Sequence, residues 1–197
     1  MNIKKFTFLL FVFITFQSIS QNSISFGVKG GLNFTGFHSE KKAFTSNVLF
    51  NFGGVALLNL TDSFSLQAEL VYNKKGGQID IYDQNTLLYI TEAKLDYIDI
   101  PVLAKFEFLK NLSFDIGPQI GFLLNSKGKI TGSQNEEDIE FTNTNTIDFA
   151  VNGGFSFKFN NSLFLQTRYS YGLSKIFENS NHKNSVISLS LGYLFNK

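Results

Sequence analysis

The feature that most constrains the fold is a period-two alternation of apolar and polar residues. Residues 24–34 show it clearly. One face holds Ile24, Phe26, Val28, Gly30, Leu32 and Phe34, and the other holds Ser25, Gly27, Lys29, Gly31 and Asn33. Successive side chains of a β-strand point to opposite faces, so this pattern predicts a strand with one apolar face.

The same alternation recurs in seven further segments of the chain. They span residues 49–60, 64–75, 97–108, 112–124, 147–158, 163–172 and 186–195. Each segment has ten or more residues. Strands of soluble proteins most often have about 5–6 residues, whereas tilted strands that cross a membrane have about 9–11. The sequence therefore predicts eight long strands.

Charged residues fall on one side of this pattern. The apolar faces carry none, whereas the opposite faces carry nine: Lys29, Glu69, Asp99, Lys105, Glu107, Asp115, Asp148, Lys158 and Arg168. An eight-stranded barrel has room inside only for side chains. Charges buried there must be paired, because an isolated one costs several kcal/mol. We expect these nine to form a structural network in the lumen. Five lie near mid-strand and are expected at its centre: Glu69, Asp99, Lys105, Glu107 and Arg168.

The connections between the predicted strands alternate in length. Residues 61–63, 109–111 and 160–161 are short turns, whereas 35–47, 76–95, 125–145 and 173–184 are long and polar. Short turns at one end and long loops at the other are typical of outer-membrane barrels. In lipid every backbone polar group must be paired within the protein, which requires closure. The predicted fold class is all-β, an eight-stranded closed antiparallel up-and-down transmembrane barrel.

Alternation alone does not say which face is inside. A secreted soluble lipocalin-like barrel, with its apolar face around a ligand, also has eight alternating strands. The chain has 24 Phe, more than a small barrel core holds, and only 17% of its residues are charged. We therefore expect the apolar face to contact lipid through Phe26, Phe52, Leu70, Ile100, Phe114, Phe149 and Leu189.

The first twenty residues are expected to be a signal peptide. Lys4 and Lys5 precede an apolar run over residues 6–16, and small residues follow at Ser18 and Ser20. This order of basic, apolar and small residues is typical of secretory signal peptides. Residues 21–197 then form the barrel domain. After cleavage we expect it in the outer membrane of a Gram-negative bacterium.

Five stretches in this order resemble the outer-membrane β-barrel domain family of the Bacteroidetes, the PorT-like group. They are GVKGGLNF (27–34), FSLQAELVYNKKG (64–76), LDYIDIPVLAKFEF (95–108), IGPQIGFLL (116–124) and RYSYGL (168–173). The resemblance implies a small outer-membrane barrel. Some relatives are linked to type IX secretion and gliding. It implies no catalytic residues.

No catalytic or cofactor-binding set is apparent in the sequence. The chain has no Cys and two His, which argues against a metal site, and its net charge of +1 argues against nucleic-acid binding. His38, Ser39 and Glu40 in the first long loop leave one enzymatic alternative, a lipid A-modifying enzyme. The acidic run at residues 136–140 could hold a cation or simply keep a loop soluble. We expect a non-enzymatic protein without cofactors.

The second long loop is the expected binding region. Residues 78–82 and 86–90 are both strand-like and flank Asp83, which favours a hairpin that continues the third and fourth strands. Its apolar residues are Ile79, Ile81, Leu87, Leu88, Tyr89 and Ile90. We expect a structural, adhesion or secretion-assembly role, with a protein partner bound through loop 76–95. The other expected partners are outer-membrane lipid, lipopolysaccharide and the barrel assembly machinery, which reads the alternating aromatic ending at residues 190–195.

Overall fold

The computed structural model describes residues 24–38, 47–83, 86–131, 137–141, 143–178 and 181–195. These residues form nine strands: β1 (Ile24–His38), β2 (Asn47–Asn59), β3 (Phe64–Asp83), β4 (Thr86–Leu109), β5 (Leu112–Thr131), β6 (Glu137–Glu140), β7 (Ile147–Lys158), β8 (Leu163–Gly172) and β9 (Lys183–Phe195). None of the described residues forms a helix long and apolar enough to cross a membrane. The predicted signal peptide lies outside the described residues.

Eight of the strands form a closed antiparallel wall. Their order is β4-β3-β2-β1-β9-β8-β7-β5, and β4 pairs with β5 to close the ring. The first and last strands of the chain, β1 and β9, are neighbours in this ring, with Phe26 opposite Phe195 and His38 opposite Lys183. The short strand β6 lies outside this ring. Among the described strands it pairs only with β5, at residues 127–130. The predicted eight-stranded closed barrel is therefore confirmed.

The turns that join β2 to β3, β4 to β5 and β7 to β8 are short and lie at one end, which we call the short-turn end. Side chains near these turns satisfy backbone donors. Asn111 has a positive φ of 70°, a conformation that asparagine tolerates better than most residues. Its amide donates to Oε1 of Glu107 at 3.1 Å. In another turn, Oδ1 of Asn160 accepts from the amides of Ser162 and Leu163 at 2.9 and 2.7 Å. These local bonds hold the wall strands in register.

The apolar face points outward. Phe26 is 61% exposed and Leu70 58%, and Phe52, Ile100, Phe149 and Leu189 are also exposed. Phe114, the seventh residue of the expected lipid-facing set, is half-buried because its ring packs against that of Phe155 at 5.5 Å. The lipocalin-like alternative required the apolar face to point inward, and the structure contradicts it.

Three strands extend well beyond the predicted span at the opposite, long-loop end. β3 and β4 pair as far as Asp83 opposite Thr86, with a register shift between Ile81 and Tyr82. β5 follows β4 to Ile90 opposite Thr131, and β6 adds a fourth strand. The hairpin predicted from residues 78–90 is therefore present in the backbone. We call these four strand ends the long-loop extension; they comprise residues 76–83, 86–95, 126–131 and 137–140.

Candidate functional site: a charged lumen between two apolar seals

The lumen holds two clusters of buried ion pairs. The first, which we call the basic cluster, comprises Lys29, Glu69, Lys105, Asp115 and Arg168 and lies nearer the short-turn end. Alternation along β1, β3, β4, β5 and β8 points each of these side chains inward. All five are at least nine-tenths buried. Three cations against two carboxylates give the cluster a formal charge of +1.

Arg168 and Glu69 form the centre of the basic cluster. Nη1 and Nη2 of Arg168 donate to the two carboxylate oxygens of Glu69 at 3.1 and 2.5 Å, which is a bidentate pair. Nζ of Lys29 lies 2.8 Å from Oε2 of the same carboxylate. Gln67 also donates to Glu69, at 2.5 Å. This one carboxylate therefore binds donors from β1, β3 and β8 and ties together strands on opposite sides of the barrel.

Asp115 forms the other half of the basic cluster. Its Oδ2 accepts from Nζ of Lys105 at 2.9 Å, from Nε2 of Gln166 at 2.7 Å and from the hydroxyl of Ser156. Gln166 connects the two halves, because its Oε1 accepts from Nη2 of Arg168 at 2.7 Å. The cluster is thus a single hydrogen-bonded unit.

The second cluster, which we call the acidic cluster, lies nearer the long-loop end. Nζ of Lys75 is 3.0 Å from Oδ2 of Asp99 and 3.1 Å from Oδ2 of Asp148. The ammonium also lies 4.3 Å from the ring centroid of Tyr97. Asn184 donates to Asp148 at 2.9 Å. One cation against two carboxylates gives this cluster a formal charge of −1.

Asparagines line the lumen beside the acidic cluster. Nδ2 of Asn73 donates to Asp99 at 2.6 Å, and Nδ2 of Asn33 donates to Oδ1 of Asn73 at 2.6 Å. Nδ2 of Asn51 then donates to Oδ1 of Asn33 at 2.7 Å, and Ser190 donates to Asn51 at 3.0 Å. This chain links β9, β2, β1, β3 and β4 across the lumen without adding charge.

An apolar cluster closes each end of the charged lumen. At the short-turn end, Val55, Leu57, Phe164 and Leu194 form the short-turn seal. At the other end, Phe37, Ala93, Leu95, Tyr97 and Ile176 form the long-loop seal. Apolar side chains exclude water and ions from the polar interior. The described residues therefore form a packed plug rather than an open channel.

The connection after β8 supplies the centre of the long-loop seal. Ile176 is buried against the inward faces of β1 and β4, and its amide donates to the carbonyl of His182 at 2.9 Å. The amide of Asn145 donates to the carbonyl of Ile176 at 2.8 Å, and Phe177 forms a β-bridge with Thr144. The ring of Phe37 packs edge-on against those of Phe177 and His182. Backbone bonds on both sides thus hold Ile176 in the barrel mouth.

The structure places the nine predicted lumen charges at three levels rather than in one network. Lys29, Glu69, Lys105, Asp115 and Arg168 form the basic cluster, and Asp99 and Asp148 belong to the acidic cluster. Glu107 was expected near the centre, but it lies at the short-turn rim, 3.6 Å from Lys158, and both are half-buried. The expectation of one central network is wrong for Asp99 and Glu107. Asp99 lies at the level of the acidic cluster, whereas Glu107 is eight residues further along β4, next to the short turn.

Sequence reasoning missed Lys75. It is almost completely buried and is the cation of the acidic cluster. The alternation of the third predicted strand pointed to it, because Lys75 has the same parity as Glu69 and Asn73 on the inward face. It was overlooked because the predicted strand ended at this residue, whereas β3 continues to Asp83.

His38 and β6 both lie at the long-loop end. The His38 ring lies 5.4 Å from that of Tyr171, whereas Ser39 and Glu40 lie outside the described residues. Residues 137–140 of the acidic run form β6, with Asp138 opposite Lys129 and Glu140 opposite Lys127. Charged residues on an edge strand discourage pairing with another chain. The apolar side chains of residues 79–90 lie outside the described part of the structure. The described residues include no group of three or more His, Asp or Glu suited to a metal ion.

Comparison with known proteins identifies the family and the fold. A family model described as outer membrane protein beta-barrel domain matches residues 17–178. The chain matches no curated protein.

Similar solved structures include three outer-membrane barrels. Neisserial surface protein A is 16% identical, with 88% of this chain and 99% of that chain covered and a TM-score of 0.56. A major outer membrane protein of Thermus thermophilus is 13% identical, with 88% and 100% covered and a TM-score of 0.54. The attachment invasion locus protein Ail of Yersinia pestis is 14% identical, with 87% and 98% covered and a TM-score of 0.52. At these identities the likeness shows the fold.

Proposed function

Because the chain belongs to the outer membrane protein beta-barrel domain family, we propose that it is a sealed barrel that acts through its extracellular end. Family and fold together locate it in the outer membrane. Outer-membrane barrels carry short turns on the periplasmic side and long loops outside. The long-loop extension therefore projects from the cell. In this proposal the barrel is a non-enzymatic structural, adhesion or secretion-assembly component.

The sealed lumen is the observation that carries the proposal. Two apolar seals enclose two clusters of ion pairs, so the interior offers a solute no continuous aqueous path. Small eight-stranded barrels have interiors filled by side chains, whereas porins with 16 or more strands leave a channel. The work of such a barrel must then be done on its surface or by its loops.

The long-loop extension is the surface best suited to that work. Four strand ends continue the barrel wall beyond the charge pair of Lys74 with Asp96, at 3.4 Å. Outward from Lys74, β3 and β4 pair for several more residues on each strand. The sequence there carries six apolar residues at positions 79–90, more than a solvated loop requires. We propose that a protein partner binds this hairpin. Ail, whose name refers to attachment and invasion, supports a surface role for this fold.

The lipid A-modifying alternative rests on His38. A catalytic set of His and Ser needs the histidine within hydrogen-bond reach of the serine that it activates. The described contact of His38 is a ring contact with Tyr171. Nothing in the described geometry organises His38 for catalysis, and we favour the loop-mediated role. A His38→Ala variant that changes lipid A acylation in the same way as deletion of the gene would favour the enzyme instead.

The proposal is tested by removing the hairpin without disturbing the barrel. Gln78 pairs with Glu92. Replacing residues 79–91 with Asn-Gly therefore keeps Gln78 opposite Glu92 across a two-residue turn, which that dipeptide favours. We expect the shortened protein to fold and to show the heat-dependent gel shift of intact barrels. It should lose the protein that is cross-linked to the full-length chain on intact cells.

A second variant distinguishes the contribution of the apolar side chains to binding from that of the length of the hairpin. It keeps every residue from 79 to 91 except the six apolar ones, which become Ser or Thr. If apolar contact provides the binding, both variants lose the cross-linked partner. A folded barrel that keeps its partner in both variants would show that the binding surface lies elsewhere.

A further inference from the structure

A small cavity lies between the two charged clusters, in the middle of the barrel. It encloses about 10 Å³. Its lining includes Lys29 and Arg168 from the basic cluster, Asp99 from the acidic cluster, and Gln119 of β5. The two clusters thus meet at this cavity, although no direct hydrogen bond between them is found among the described residues.

Two of the residues that line the cavity carry a buried donor without a partner in the described protein. Nε of Arg168 and Nε2 of Gln119 are both shielded from bulk solvent and donate to no protein acceptor. Both residues are more than nine-tenths buried. A buried polar group left without a hydrogen bond costs about 1–3 kcal/mol. Two such donors on one polar cavity therefore indicate a bound acceptor.

The size and the charges of the cavity select the acceptor. A volume of about 10 Å³ corresponds to roughly one water molecule. A chloride ion is larger than water, and an anion would also lie beside the carboxylate of Asp99. Water accepts from two donors and still has two hydrogens to donate. Asp99 can accept one of them, because a carboxylate offers about four acceptor positions.

We propose that this cavity is a binding site for a single water molecule that joins the two clusters. The water accepts from Nε of Arg168 and Nε2 of Gln119 and donates to Asp99. This turns two separate networks of opposite formal charge into one hydrogen-bonded column between the two seals. The site is independent of the proposed extracellular role, since it lies in the lumen between the two seals.

A crystal structure of the refolded full-length barrel, at a resolution that shows ordered water, tests the site directly. We expect one water density peak within hydrogen-bond distance of both donors. Crystals soaked in bromide should show no anomalous peak there. A bromide peak would show that the cavity binds an anion rather than water, and a cavity without density would show that it binds neither. Either result would overturn the proposal.

The stability of a variant gives a second test, because the temperature of the heat-dependent gel shift should move in opposite directions with and without a bound water. Gln119→Met keeps the length of the side chain and removes the donor. If water is bound, the variant loses hydrogen bonds, and the temperature of the heat-dependent gel shift falls by about 2–4 °C. If the donor has no ligand, removing it relieves an unpaired polar group and the temperature rises. Gln67→Met is the matched control, because the amide of Gln67 donates to Glu69 within the protein. The decrease in gel-shift temperature for Gln67→Met gives the cost of losing one buried hydrogen bond in this barrel.

Discussion

The basic and acidic clusters occupy the same lumen but differ in their charge balance. In the basic cluster, three cations surround two carboxylates, and both Lys29 and Arg168 bond Glu69 and Gln166. In the acidic cluster, Lys75 is the one described cation and serves two carboxylates. The formal charges of +1 and −1 cancel over the lumen but not within either cluster. The importance of a residue therefore depends on what its removal leaves unpaired as well as on the number of its bonds.

Lys75→Met is expected to have the largest effect. It leaves Asp99 and Asp148 buried together without a cation, and removing one partner of a buried ion pair costs about 3–5 kcal/mol. We expect the folded fraction in detergent to fall sharply and the urea midpoint to drop, as measured by the heat-dependent gel shift. Lys74→Met is the control, because Lys74 is about one-third exposed at the outer face. A Lys75 variant as stable as this control would contradict the assigned charge balance.

Arg168→Met is expected to cost less, although Arg168 makes more hydrogen bonds than Lys75. Its removal leaves Lys29 with Glu69 and Lys105 with Asp115, which are two balanced pairs. The remaining cost comes from lost hydrogen bonds to Glu69 and Gln166, about 1–3 kcal/mol. The same urea titration measures it beside Lys75→Met. A greater loss for Arg168 than for Lys75 would show that bond number outweighs net charge in this lumen.

Two carboxylate-to-amide substitutions should shift stability in opposite directions. Asp148→Asn removes the surplus negative charge of the acidic cluster. It also keeps one side-chain oxygen that can accept from Lys75 and Asn184, as Oδ2 of Asp148 does. We expect a gain of about 1 kcal/mol. Asp115→Asn raises the basic cluster to a formal charge of +2 and should destabilise the barrel. Equal losses for both variants would refute the comparison.

The smallest expected effect concerns the two apolar seals. The long-loop seal has a histidine neighbour, the half-buried His182, whose ring contacts Phe37. Burial lowers the pKa of His182. The neutral form therefore favours the closed mouth. That contribution is complete above about pH 6.5, the ordinary pKa of histidine, and declines as the pH falls toward the lowered value.

Hydrogen exchange at the mouth measures this effect. The amide of Ile176, which donates to the carbonyl of His182, should exchange faster at about pH 5.5 than at about pH 7.5 after correction for the intrinsic rate. His182→Phe should remove the pH dependence while keeping an aromatic ring against Phe37. Amides of the short-turn seal should show no such change.

The alternation of apolar and polar residues predicts the wall because lipid imposes one rule on every strand. Apolar side chains must point outward to lipid, and polar side chains must point inward to the lumen. Strand number, closure and the outward position of Phe26 and Leu70 follow from that rule. It also points Lys29, Glu69 and Arg168 inward. Alternation does not give the height of a residue in the barrel, because height depends on register and strand tilt. For this reason Asp99 and Glu107 were assigned to the wrong level.

The long-loop end was harder to predict than the wall. Leu95 and Tyr97 are apolar yet point inward, because their face of β4 changes from polar to apolar above Asp99. Register shifts such as that between Asp96 and Tyr97 alter the pairing there. Ile176 reaches the lumen from a connection whose sequence has no strand alternation. Its role as a seal depends on contacts with β1 and β4 that are distant in sequence.

Recording from planar bilayers tests the central claim most directly. The purified, refolded barrel is inserted and its current is measured under voltage, beside a large porin as a positive control. With both seals in place and the charges paired between them, the protein is expected to give no stable open level. A large, stable conductance from the intact chain would contradict the sealed lumen and with it the assignment of function to the extracellular end.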